Sequence, residues 1–290
     1  MTQPLTLAHG DWRCEVVPAL GGCLAGLWHQ GLPVLRSPGA AAITSARQSA
    51  CYVLVPYSNR VGHAELKWQG TSHPLVRNNG AEPHAIHGIG WQRPWAVLDH
   101  SADSVLLSHE HRREPGWPFA YDASQWIQLG DQGLTMSLSI TNQDEVATPV
   151  GLGWHPFFVK HPGMGLQFEA TQRWDMGDDQ LPTRARPVSG LDAALDALNI
   201  DHCFSGWSGQ AVLRGPGQRV WQLQSSLKHV VVFTRPDRDD VAVEPVSHVN
   251  NALNLLAQDP GLEPEDLGVT VLAPGESLSA HWSLSVVGAS

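Results

Sequence analysis

Several features are scarce in this chain, and each scarcity closes a route. Only four cysteines occur, Cys14, Cys23, Cys51 and Cys203, and no two stand in a Cys-x-x-Cys pair. The spacing argues against a dithiol or zinc-ribbon motif, so buried, inert thiols are expected. Charged residues make up only 16% of the sequence, with 18 basic against 28 acidic side chains and a net charge of −10. An extended face for nucleic acid or another polyanion does not fit that balance, although a local basic pocket does. No run of about 20 apolar residues is present, so no membrane-spanning helix is expected. The opening Met-Thr-Gln-Pro-Leu-Thr-Leu has neither the basic start nor the apolar core of a secretory signal, and a cytoplasmic location is expected. The sequence also has no Gly-x-Ser-x-Gly nucleophile turn, no phosphate loop and no dinucleotide glycine fingerprint. Internal repeats, low-complexity tracts and linkers are absent as well.

What is abundant points to strands and turns. The hydrophobic share is 42%, and 28 Gly, 21 Pro and 12 Trp accompany it along 290 residues. A chain of this size buries roughly three-quarters of its extended-chain surface and needs no staples. Trp12–Val17, 23–28, 97–109, 121–129, Gly133–Asn142, 166–170, 210–213, 219–224, His229–Thr234, 241–245, 269–272 and 278–287 read as strands. Leu134, Met136, Leu138 and Ile140 alternate cleanly with polar residues, the mark of a half-buried strand. Residues 38–49 read as a loop, and 61–70 as a hairpin arm turning at Trp68-Gln69-Gly70. Only 191–198, with Leu191, Leu195 and Leu198 on one face, and 251–258 read as short helices. The expected fold is all-β, a large antiparallel β-sandwich, forming a single domain over 1–290.

Five stretches carry polar residues in unusual company. In Gly-Leu-Gly-Trp-His-Pro-Phe-Phe (151–158), Pro156 pushes His155 towards an extended backbone, and aromatic residues frame it. An imidazole held in that way can be aimed at a ligand and keep a pKa near neutrality. A buried structural histidine on a core strand fits the same residues equally well. In Pro-Tyr-Ser-Asn-Arg (56–60) an apolar strand delivers Asn59 and Arg60, a rigid fork of donors that suits either a ligand or a surface carboxylate. Residues 78–95 hold His84, His87-Gly88, Trp91 and Arg93-Pro94-Trp95, a candidate pocket wall whose rings would stack on a flat ligand. His84 and His87 have a helical metal-ligand spacing, but the glycine and proline around them argue against a metal site. Asp201-His-Cys-Phe (201–204) and Val-Glu-Pro (243–245) add two carboxylates. Glu244 is either an edge-strand glutamate in water or a buried acid with a raised pKa.

Taken in order, these five stretches resemble the aldose 1-epimerases, or galactose mutarotases, and they span most of the chain. The resemblance implies the β-sandwich of that family and the interconversion of the α and β anomers of a free aldose, with no cofactor and no metal. It implies Glu244 as the base that takes the C1 hydroxyl proton and His155 as the acid that protonates the ring oxygen. His87 would hydrogen-bond the sugar, and Asp201 and Arg60 would hold its hydroxyls, with Asn59 beside them. Many relatives carry an arginine soon after the His-Gly pair. Here Gly90-Trp91-Gln92-Arg93 stands there, which places Trp91 at the sugar and leaves open whether Arg93 supplies the missing charge. Galactose or glucose is the default substrate. An anionic sugar would need cations at the rim, for which Arg47, Arg60, Lys67, Arg77 and Arg93 are candidates. The expected partner is a small monosaccharide, without nucleic acid or membrane, bound by a monomer or weak homodimer. Two other classes compete. A non-catalytic sugar sensor would not need both His155 and Glu244. A lyase or hydrolase would want two facing carboxylates, and only Glu244 and Asp201 are available.

Overall fold

The computed structural model describes residues 3–216, 219–259 and 261–287, so the first two residues of the N-terminal stretch read above lie outside it. Two large antiparallel sheets dominate. One has nine strands in the order Ala96–His100, Ser104–His111, Tyr121–Gly130, Gly133–Asn142, Ser277–Val287, Val220–Ser225, Gln210–Arg214, Gly165–Phe168 and Leu191–Ala194. The other has eight, running Pro182–Pro187, Gln172–Met176, Ile200–Ser205, His229–Thr234, Asp240–Val246, Gly153–Trp154 and Val53–Leu54, with Phe157–Val159 also paired to Asp240–Val246. A smaller sheet of four strands covers Leu5–His9, Trp12–Val17, Cys23–His29 and Leu32–Pro33.

Alternation along the strands decides which residues meet. Trp154 from the eight-stranded sheet lies 6.4 Å, ring to ring, from Trp282 of the nine-stranded sheet, and Phe168 meets Phe204 at 5.0 Å in the same way. These buried pairs fill the space between the sheets, where aromatic side chains contribute most through the area they remove from water. Successive side chains in a strand point to opposite faces. His155 therefore turns away from the core that Trp154 enters. The pairing register carries the same logic across the sheet. Asp201 lies opposite Phe233, Phe233 opposite Ala242 and Ala242 opposite Phe157, while Val231 lies opposite Glu244. Asp201, Phe233, Glu244, Phe157 and His155 thus share the outer face of the eight-stranded sheet, with Val241 and Val243 directed inward.

Most expected strands stand where the pattern puts them, and Trp12–Val17 and Gly133–Asn142 agree to the residue. The helix expected over 191–198 is not there. Leu191–Ala194 is instead an edge strand paired to Gly165–Phe168. Backbone pairing to an open sheet edge outweighs the weak helical preference of so short a segment. The helix expected over 251–258 is present as Ala252–Gln258. A hairpin of Gln172–Met176 and Pro182–Pro187 forms where no regular pattern was visible. All four cysteines are free and buried, and burial pushes the thiols of Cys14 and Cys23 up to about 12. No helix is long and apolar enough to cross a membrane among the described residues.

Candidate active site

The shared face opens into a cavity of about 330 Å³, lined in part by Asn59, Arg60, His87, His155, Asp201 and Glu244. Six of the seven residues singled out from sequence are therefore brought to one place. Trp91 is the exception and corrects the expectation: it is buried behind Tyr52, at 5.5 Å ring to ring, and its indole N–H donates to the Gly88 carbonyl at 3.1 Å. It supports the wall without lining the cavity. The ring is buried because Gly90–Gln92 forms a single 3₁₀ turn that tucks it inward.

At the centre, His155 Nε2 lies 3.2 Å from Glu244 Oε1. The His155 ring packs against Tyr52, stacked at 4.8 Å, and against Phe157, at 4.3 Å, and its backbone N–H donates to the Tyr52 carbonyl at 2.9 Å. Glu244 is only 2% exposed, and its Oε2 has no protein partner. A buried carboxyl oxygen with a free lone pair is costly unless a ligand meets it.

His87 completes the group. It occupies the left-handed region at φ +61°, as does Asn59 at φ +54°. The two are locked by reciprocal bonds: His87 N–H donates to the Asn59 carbonyl at 2.8 Å, and Asn59 N–H donates to His87 Nδ1 at 3.0 Å. Because Nδ1 accepts, the neutral ring carries its proton on Nε2, which is left to donate to a ligand. The adjacent Gly88, at φ +67°, runs so close to Val55 that a Cβ would stand 2.2 Å from its carbonyl oxygen. Backbone strain of this kind persists where the surroundings impose it, commonly at functional sites.

Arg60 is held by Glu82 at 3.0 Å and reaches Asp201 at 3.7 Å, so it organises one end of the cavity. Asn79 and Ile86 join that lining. His84 stays out of the site, since its ring bridges His63 N–H at 2.9 Å and the Asp179 carbonyl at 2.8 Å. His248 drew no attention from sequence. It accepts from Ser58 N–H at 3.1 Å and donates to the Val249 carbonyl at 2.7 Å, pinning the segment that leads to Asn59 and Arg60. Gly151 makes room for it, because a Cβ there would lie 2.1 Å from the His248 ring.

Burial sets the electrostatics of the pair. It raises the Glu244 carboxyl well above the usual range, helped by the nearby charge of Asp201 and opposed by Arg60. It lowers His155 to about 3, with the positive charges of Arg36, Arg238 and Arg47 acting in the same direction. His155 therefore does not titrate near neutrality, which corrects the sequence expectation. Both shifts favour the neutral form of the pair, with the shared proton on the carboxyl. His87 is also pushed well below its ordinary value by burial and by His155. Asp201 is raised by burial, with Arg60 opposing.

These depressed histidines carry a stability consequence. His87, His109, His155, His229 and His248 all have lowered pKa values in the folded state, chiefly through burial. Below the unfolded value of about 6.5, the unfolded chain binds protons that the folded one refuses, so stability is lost as pH falls. The raised Glu244 and Asp201 act in the opposite sense above about pH 4.5, but the histidines outnumber them. A thermal melt should show Tm falling by roughly 5–10 °C between pH 7 and pH 5. A Tm that rises over that interval would show that the histidines are not buried in their neutral form.

The donor atoms of His87, His155 and Glu244 all lie within 4.8 Å of one another, a geometry that a metal ion could also use. Fold and site together define a β-sandwich of the galactose mutarotase-like class. The chain belongs to the aldose 1-epimerase family, whose model, described as Aldose 1-epimerase, matches residues 3–285. The Escherichia coli K12 protein YphB is 31% identical over 299 residues, covering 97% of this chain and 98% of that one. The crystal structure of a candidate aldose 1-epimerase from Escherichia coli K12 superposes with a TM-score of 0.87 at 30% identity, covering 98% of this chain and 99% of the other. A galactose mutarotase-like protein from Clostridium acetobutylicum gives a TM-score of 0.86 at 18% identity, covering 99% of this chain and 95% of its own, and shares the fold.

Proposed function

We propose that this chain is an aldose 1-epimerase that interconverts the α and β anomers of a free aldose by acid–base catalysis. The observation that carries the reading is the 3.2 Å contact between His155 Nε2 and Glu244 Oε1 at the base of a cavity of about 330 Å³. A sugar bound over the pair, with its C1 hydroxyl at Glu244 and its ring oxygen at His155, converts the shared proton into directed chemistry. With the proton on His155 and the carboxylate ionised, Glu244 takes the proton of the C1 hydroxyl as His155 delivers its own to the ring oxygen. The C1–O5 bond breaks and the open-chain aldehyde forms. Rotation about C1–C2 presents the other face of the carbonyl. The same two groups then run in reverse to close the ring.

The proton count of the pair does not change during ring opening. It moves from the ion-pair form to the neutral form, the form that burial favours. Burial therefore supports the opening step while keeping a single proton available. The Nε2–H of His87 is placed to hydrogen-bond the sugar, and Arg60, Asp201 and Asn59 to fix the ring hydroxyls. A sensor without catalysis would gain nothing from an acid and a base buried in contact. A hydrolase would need a second facing carboxylate, and Asp201 is engaged by Arg60 at 3.7 Å.

Polarimetry of freshly dissolved α-aldoses tests this reading. Decay of the optical rotation should accelerate with enzyme for at least one sugar of a neutral and acidic panel, and excess EDTA should leave the acceleration unchanged. Loss of the rate on chelation, with recovery on adding zinc, would favour a metal held by His87, His155 and Glu244. No acceleration for any sugar would remove the proposal.

A further inference from the structure

The pocket is electrically lopsided. The groups that act by charge on Glu244 are Asp201 and Arg60. The groups that act by charge on His155 are three arginines, Arg36, Arg238 and Arg47. All three line the cavity, and the guanidinium carbon of each stands over an aromatic ring: Arg36 over Phe157 at 3.8 Å, Arg47 over Trp91 at 5.2 Å and Arg238 over Phe233 at 5.1 Å. A guanidinium set over a ring can still offer unspent N–H groups to in-plane acceptors. Arg36 is bonded through all three nitrogens and acts mainly as a fixed charge, while Arg47 keeps the most donors.

Their countercharge is thin. Asp240 accepts from Arg36 at 3.1 Å and from Arg238 at 2.5 Å, and among the described residues Arg47 has no carboxylate partner. Arg36 also spends donors on the carbonyls of Ser49 and Arg47, at 2.6 and 2.7 Å, which fixes its position. Three guanidinium groups share one carboxylate, in a chain whose net charge is −10. General surface charge does not explain such a cluster.

We propose that Arg36, Arg47 and Arg238 form a subsite for an oxyanion carried on C6 of the sugar, and that the substrate is an acidic hexose. The inference rests on the acid–base reading above. If His155 protonates the ring oxygen, then C5, bonded to that oxygen, and C6 beyond it lie on the His155 side of the cavity. That is the side the arginines occupy. Hydroxyls on the rest of the ring face the Arg60, Glu82 and Asp201 end. The arrangement also couples binding to chemistry. In the empty pocket the arginines oppose a proton on His155. A bound anion cancels their field and makes the protonated acid easier to form, so the right substrate activates its own catalyst.

A carboxylate, a phosphate and a sulfonate on C6 share this chemistry, and the assay separates them. Anomer exchange is measured for glucose, glucuronate, glucose 6-phosphate and 6-deoxy-6-sulfoglucose, at low and high salt. Charge-assisted hydrogen bonds of this kind predict that kcat/KM for at least one acidic sugar exceeds that of glucose by roughly 10–100-fold. The preference should shrink at high salt. In Arg47→Gln the acidic-to-neutral ratio should fall at least about 10-fold, and Arg238→Gln should act in the same direction. A preference for glucose, or a ratio unmoved in both variants, overturns the subsite and leaves the mutarotase standing. Exchange of no sugar at all overturns the mutarotase, and the subsite with it.

Discussion

Replacing Glu244 with glutamine should lower kcat/KM for anomer exchange by about 10²–10⁴-fold, the usual contribution of a single positioned proton-transfer group. Glutamine matches the shape of glutamate and keeps a polar contact to His155, but it cannot take the C1 hydroxyl proton. Folding should survive the change. The carboxyl sits on an interior strand of the eight-stranded sheet at 2% exposure, with one oxygen unpartnered, so the buried acid is a burden on the fold. The Tm of Glu244→Gln should therefore equal or exceed that of the wild type, as happens where function and stability conflict. A variant that keeps a third or more of the activity would remove Glu244 from the chemistry. A variant that is inactive only because it melts at assay temperature would show that the carboxyl is structural.

His155→Gln should cost about as much, roughly 10²–10⁴-fold in kcat/KM, because it removes the group assigned to protonate the ring oxygen. The pair acts as a unit, so the Glu244→Gln/His155→Gln double variant should be no worse than the poorer single variant. Independent losses that multiply would contradict a shared proton. The wild-type pH profile adds a second check. An ordinary histidine would impose a limb near pH 6.5, but burial takes His155 down to about 3 and raises Glu244. As pH falls the pair takes a second proton only near the depressed value of His155, so the rate should not drop between pH 7 and pH 5, and an acid limb inside that range would contradict a histidine held at about 3.

The sequence made the strands and the polar anchors legible for different reasons. Gly133–Asn142 could be placed because Leu134, Met136, Leu138 and Ile140 keep a strict period of two. His155 and Glu244 could be selected as residues but not placed in an environment. Both stand in continuous apolar runs, where no alternation tells which face is the core, and only the pairing of Val231 with Glu244 fixes the side. The sequence therefore left Glu244 between solvent and interior, and it overestimated the pKa of His155. Arg36 and Arg238 escaped notice altogether. They are brought together by Asp240, and Arg36 reaches it across 204 positions of chain, so no local spacing reports the contact. Of the cations named from sequence, Arg47 and Arg60 line the cavity, whereas Arg93 is held by Glu114 at 2.5 Å and Lys67 lies beside the hairpin turn at 69–70. Leu191–Ala194 became a strand because a partner edge was waiting for it, a fact about the sheet and not about the segment.

The central claim is that a buried carboxyl and imidazole in contact open and close a sugar ring. Exchange NMR of the anomeric proton at equilibrium tests it most directly, because it reads interconversion without any net reaction. With wild-type protein and an accepted aldose, α-to-β cross-peaks should appear at mixing times too short for spontaneous exchange, and Glu244→Gln should abolish them. Sugar signals that broaden on binding yet show no α-to-β transfer with the wild type would contradict the account and make this pocket a binding site alone.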